Sequence, residues 1–226
     1  MESTALLHLL QLASPSLPIG AYSYSQGLEA AIESKLVSDA ASARCWIIDI
    51  LHHVVARCDA PILWRLLQAF SLHDGDAITH WTDTYLATRD TAEFRAETIQ
   101  MGYSLAKLIT ELQTGDPELL ALLSAQKEIP LPTAYACAAV ALAVPLEAAL
   151  LGMLFSWVEN QVLVCVKSVP LGQVAGQRLL LSLHDEVSAA ALCASTVIDD
   201  DIANWSPGLS LLSMQHEVQY SRLYRS

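Results

Sequence analysis

Charge is what this chain has least of. Charged residues make up 16% of its 226 positions, against roughly a quarter in an average soluble domain. So few charges leave apolar surface uncovered on the isolated chain, and exposed patches of that kind mark a partner or a membrane. Positive charge is scarcer still. Twelve Lys and Arg against 24 Asp and Glu give a net charge of -12, whose mean field repels phosphate backbones and anionic headgroups. Nucleic acid is excluded as a partner on that ground. A basic N-terminal region is missing as well: Met1 to Leu12 carries Glu2 and no Lys or Arg, and reads as a first helix, not a signal peptide. No C-x-x-C pair occurs. Cys45, Cys58, Cys137, Cys165 and Cys193 are odd in number and lie in apolar neighbourhoods, so they read as reduced core residues of a cytoplasmic protein.

Motifs that carry chemistry are absent too. The seven histidines, His8, His52, His53, His73, His80, His184 and His216, form no H-E-x-x-H. His52 and His53 are adjacent and point apart on a helix. No tightly held metal is expected. Gly172 and Gly176 are separated by three residues and no lysine follows, which is not a phosphate-binding P-loop. The acidic pairs at Asp199 to Asp201 and at Asp185 and Glu186 read as solvated helix starts. No nucleophile, base and orienting group assemble from spacing, so no catalytic residue is assigned. Ile129 to Leu146 lacks charge and has the length of a membrane span. Its prolines at 130, 132 and 145 leave only Thr133 to Val144 uninterrupted, about 18 Å of helix. A buried core helix is expected there, and no membrane.

What the sequence does have is helical periodicity. Ile47, Ile50, Leu51, Val54, Val55 and Cys58 recur at three- and four-residue spacing, as do Leu150, Leu154, Trp157, Val158, Gln161 and Cys165, while strand alternation with hairpin turns is missing. The fold class is therefore all-α: one domain over residues 1–226, a bundle of roughly ten helices. Expected helices run 4–11, 25–34, 39–58, 60–72, 76–87, 91–113, 117–127, 133–144, 146–167 and 173–195, with one or two short ones after Asp199. Ser23 with Gln26 and Asp90 with Glu93 have the form of capping boxes. Asp116-Pro117 and Ser206-Pro207 mark two further helix starts. Gly102, inside a helix, points to close packing.

Three segments stand out. The loop Ala13 to Glu29 holds two prolines, Gly20 and two tyrosines; it is either a rigid interhelical connection or a recognition loop. The stretch Trp157 to Arg178 places Lys167 and Arg178, the only basic residues between Lys127 and Arg222, around a Pro-Leu-Gly break. These cations either neutralise local carboxylates and helix ends or serve a surface. The tail Met214 to Ser226 closes with two arginines and two tyrosines, a frayed end or an interface.

Taken in order, S-P-S-L-P-I-G-A-Y-S-Y-S-Q-G-L-E (14–29), F-R-A-E-T-I-Q-M-G (94–102), W-V-E-N-Q (157–161), V-K-S-V-P-L-G-Q-V-A-G-Q-R (166–178) and R-L-Y-R-S (222–226) resemble the UreF family of urease accessory proteins. The resemblance runs from Leu7 to the last residue. It departs at Tyr22 and Tyr224, where the family more often has Phe, and is thinnest over 131–149. It implies a non-catalytic, all-α chaperone that bridges UreD (also called UreH) and the GTPase UreG. Such a chaperone couples GTP hydrolysis to nickel insertion into apo-urease and works as a homodimer within the complex. Nickel is then cargo of the complex, and no cofactor belongs to this chain. The resemblance places Tyr22, Ser23, Gln26 and Glu29 in the family's N-terminal loop and helix start. It puts Lys167, Gln173 and Arg178 toward UreG, and Arg222, Leu223, Tyr224 and Arg225 toward UreD. The rival reading is a membrane-associated or other helical scaffold with no part in metal delivery.

Overall fold

A computed structural model describes residues 1–113, 115–169 and 171–226; Pro170 of the expected helix break lies outside them. Among the described residues there is no strand, and the secondary structure is helical throughout. The helices are α1 (Ser3–Leu12), α2 (Leu28–Glu33), α3 (Ala40–Ile50), α4 (Ala60–Ser71), α5 (Gly75–Ala87), α6 (Ala92–Glu111), α7 (Pro117–Ser124), α8 (Leu131–Ala141), α9 (Leu146–Ser168), α10 (Gln173–Leu181), α11 (His184–Thr196) and α12 (Pro207–Glu217).

The uncharged run folds as the core helix expected of it. Pro130 precedes α8 and Pro132 sits in its first turn, where a missing N–H costs least. Thr133 to Ala139 are all buried, between α4, α6, α7 and α9. Gly102 of α6 explains how close α6 comes to the start of α8: a Cβ there would lie 2.0 Å from the Ile129 carbonyl oxygen. Among the described residues, the helix with the length and hydropathy to cross a membrane is instead α9. It runs through the molecule against α1, α2, α4, α10 and α11, and buries Asn160 and Gln161 as well as its apolar face.

Several expected boundaries move, each for a local reason. Helices 39–58 and 60–72 are one continuous run, because Leu51–Asp59 is a π-helical stretch leading straight into α4. Pro61 cannot donate to the Arg57 carbonyl and would crowd it; the wider π turn relieves that crowding, and Ala203 N–H takes the free carbonyl at 3.2 Å. The expected helix 173–195 is two. At the corner the Ser182 hydroxyl donates to Leu179 O at 2.7 Å, Arg44 donates to Ser182 O at 3.3 Å, and Leu183 turns fully inward.

Neither expected capping box forms. Thr91, not Asp90, caps α6 through Phe94 N–H, and Asp39 with Ser42 forms a capping box at α3. Asp116 caps α7 as read. Ser206 holds the cap position of α12 without a side-chain bond. Three cysteines are buried, and burial pushes the Cys58, Cys137 and Cys165 thiols up to about 12. Cys45 is exposed, so the core reading fails for it.

Candidate functional site: a loop and tail clasp

The loop between α1 and α2 bends at two left-handed glycines, Gly20 (φ 79°) and Gly27 (φ 82°), a region open to Gly at little cost. Ala21–Ser23 forms a single 3-10 turn, and α2 begins only at Leu28. This arrangement frees Ser25 and Gln26 from helix bonding, and the tail takes up their donors. The main-chain oxygen of Ser226 accepts from Ser25 N–H at 2.5 Å, from the Ser25 hydroxyl at 2.6 Å and from Gln26 N–H at 3.3 Å. One residue back, Arg225 N–H donates to Ser23 O at 2.8 Å. The tail is a hook folded into its own chain.

Glu29 holds the turn of that hook. Its carboxylate is buried, accepts from Leu223 N–H at 2.7 Å and from Tyr224 N–H at 3.0 Å, and lies 3.1 Å from His216 Nε2. His216, wholly buried on α12, turns its Nδ1 to Glu93 at 3.0 Å, and Glu93 also accepts from Arg222 at 3.1 Å. One turn along α6, Glu97 accepts from the Gln26 amide at 2.7 Å and from the Ser226 hydroxyl. Burial pushes the Glu97 carboxyl up to about 7, and those two hydrogen bonds work the other way.

The third wall is α9. Trp157 Nε1 donates to the Gln26 amide oxygen at 2.6 Å, Asn160 Nδ2 to Tyr24 O at 2.9 Å, and Gln161 Nε2 to Ser25 O at 3.4 Å. Tyr22 donates to Glu159 at 2.7 Å, and burial with that contact raises its phenol well above the ordinary value. At the end of α9 the Lys167 ammonium lies 5.6 Å above the Tyr224 ring, within cation–π reach. Burial, then Glu29, pushes the Tyr224 phenol up to about 12.

A cavity of about 120 Å³ opens beside this clasp, lined by Leu12, Tyr22, Asp59, Glu97, Trp157 and Asn160 among others. On its polar side Asp59 pairs with Arg89 at 2.5 Å. Burial is the largest single influence and works against the Arg89 cation, but Asp59, through charge and hydrogen bond, together with Tyr85 and Cys58 outweighs it and keeps the guanidinium charged.

Each of the five stretches that carry the family resemblance thus contributes to one place, the stretch 166–178 through Lys167. The tail, read as frayed or interfacial, is anchored through its main chain, while Arg222, Leu223 and Arg225 remain exposed. Gln173 and Arg178 are not brought in. Both are exposed on α10, and their side chains make no hydrogen bond or ion pair among the described residues.

The UreF family model matches residues 37–184. Relatives extend the match to the loop and tail. The urease accessory protein UreF of Janthinobacterium sp. (strain Marseille) is 73% identical over 226 residues, covering 100% of both chains. The chain belongs to the UreF family. Urease accessory proteins UreF from Nitrosospira multiformis, 62% identical over 100% of this chain and 99% of theirs, and from Cupriavidus metallidurans, 49% identical over 98% and 97%, are further relatives.

Within this clasp, sequence reasoning missed Glu93, Glu97, His216, Asn160 and Ser226. A signal was available for two of them. Glu93, Glu97, Met101 and Leu105 fall at four-residue spacing on α6, the last three buried, and a carboxylate on an inward row needs a partner. As for metal, His73, Asp116 and Glu118 are the one His/Cys/Asp/Glu group of three close enough to share an ion among the described residues. All three are exposed, and Asp116 already caps α7.

Proposed function

We propose that this chain is a non-catalytic urease maturation chaperone. It bridges UreD and the GTPase UreG, coupling GTP hydrolysis to nickel insertion into apo-urease in the cytoplasm. The observation that carries the reading is the hook itself. On a chain with few cations, it gathers Lys167, Arg222 and Arg225 with the exposed Leu223 around one anchored segment. Arg and apolar groups on a rigid support are what a partner protein grips. Lys167, Gln173 and Arg178 face UreG in this reading and the tail faces UreD, so the two partners adjoin where Lys167 meets Tyr224. Nickel is cargo of the assembly, and the chain holds none tightly.

A homodimer within the complex is supported by α1. Leu6, Leu7 and Leu10 are exposed there, and no Asp, Glu, Lys or Arg occurs from Ser3 to Leu12. Two copies of an acidic chain can meet on that neutral face without like-charge contact. Co-expression with UreD, UreG and apo-urease tests the whole reading. The expected result is a retained complex and nickel-dependent urease activity. Lys167→Ala is expected to keep UreD and lower activation. A wild-type chain that retains neither partner and leaves urease inactive would refute the proposal.

A further inference from the structure

We propose that His216 is a positioning residue: a doubly protonated ring held between Glu29 and Glu93 that sets the tail hook, and with it the Tyr224 ring beneath Lys167. The geometry is particular. His216 has no exposed surface, and both of its ring nitrogens face carboxylate oxygens, Nε2 to Glu29 at 3.1 Å and Nδ1 to Glu93 at 3.0 Å. A neutral imidazole has one N–H and one lone pair. With both carboxylates ionised, as the amide donors to Glu29 and the Arg222 donor to Glu93 favour, either tautomer turns a lone pair on a carboxylate oxygen, and a ring carrying both hydrogens satisfies the two sides.

Glu29 makes this matter for the tail. Among the described residues it is the side chain that accepts from the Leu223 and Tyr224 amides, so whatever disturbs its carboxylate loosens the turn of the hook. The charged groups around the ring are Glu29 from α2, Glu93 and then Glu97 from α6, and Arg222 from the tail, which shares Glu93. Glu217, next along α12, is exposed. The proposal rests on the maturation reading only for why Lys167 must be placed. The positioning itself is a property of the isolated chain.

The test is amide hydrogen exchange of residues 219–226 in the full chain, corrected for intrinsic rate, from about pH 5.5 to 9.5, a span wide enough to reach the neutral ring. It is run in a Glu97→Gln background, which removes the other titrating contact of the tail. Tail protection is expected to fall about tenfold as pH rises, the loss of one charge-assisted bond, while α4 and α8 stay protected. Adding His216→Gln is expected to leave the tail poorly protected at every pH. Adding Glu93→Gln is expected to do the opposite: the new amide can donate to Nδ1 while Nε2–H still donates to Glu29, so a neutral ring is satisfied and protection persists at high pH. A flat, well-protected tail in the background chain, or the same pH profile in all three, overturns the proposal. If His216→Gln does not fold, the background and Glu93→Gln arms decide it alone. No partner is present, so the outcome is independent of whether UreD or UreG binds.

Discussion

Glu97 is a carboxyl placed where its proton matters. Burial raises it from the ordinary range to about 7, so the folded state prefers the protonated form. Its contribution to stability is complete below the unfolded value near 4.5 and is lost as pH climbs through 7. A shift of that size corresponds to about 3 kcal/mol. Glu97→Gln keeps an acceptor for Gln26 and a partner for the Ser226 hydroxyl without the titration. Thermal unfolding of wild type is therefore expected to weaken between pH 5 and pH 8 by more than that of Glu97→Gln; identical profiles would disprove the burial argument. Gly102 is constrained by space alone. Gly102→Ala would drive a methyl into the backbone at Ile129 and Pro130, which cannot retreat as a side chain can. A loss of about 3 kcal/mol or more is expected, at the upper end of overpacking, read as a lowered denaturant midpoint.

Among the elements, the tail is the segment whose removal reaches furthest. Deleting 222–226 takes the acceptor from Ser25 and Gln26 and two donors from Glu29, each at a cost of about 1–3 kcal/mol where the group stays buried. The truncated chain is expected to melt at lower temperature and to be cut by protease within 13–29, with α4, α8 and α9 intact; an unaltered cleavage pattern would mean that the loop holds its shape unaided. Loss of a partner on truncation therefore has to be compared with loop order before it is assigned to a missing contact. The π-helical stretch before α4 is the other decisive element. It carries Asp59 to Arg89 and part of the cavity wall, and it leads straight into α4, whose first turn holds Pro61.

At the scale of the molecule, low charge content is absorbed in two ways: a core helix apolar on every side, and exposed leucines on α1. If α1 is the homodimer face, Leu7→Glu with Leu10→Glu is expected to shift sedimentation toward the monomer with helical content unchanged. A dimer that survives both charges would place self-association elsewhere. Of the fold, the all-α class, the burial of 133–139 within the expected 133–144 and the close approach at Gly102 were legible beforehand, since periodicity, proline spacing and a mid-helix glycine are local signals; the helix itself stops at Ala141, and Ala143 is exposed. Much less of the site was. Tyr22, Gln26, Glu29, Lys167 and the tail could be named from motif resemblance, but nothing local says that Glu29 waits for the amides of Leu223 and Tyr224, 194 and 195 positions away.

Local pattern, then, determined which stretches are helical, which of them must be buried, and which family the motifs resemble, because each depends on neighbours within a few turns. Only the tertiary structure decided that loop, α6, α9 and tail form a single clasp with His216 at its centre, and that Gln173 and Arg178 stand apart from it. Most of those pairings join residues more than a hundred positions apart through buried or half-buried hydrogen bonds. A buried polar group takes whichever partner the packed helices bring within 3 Å, and sequence spacing does not specify that partner.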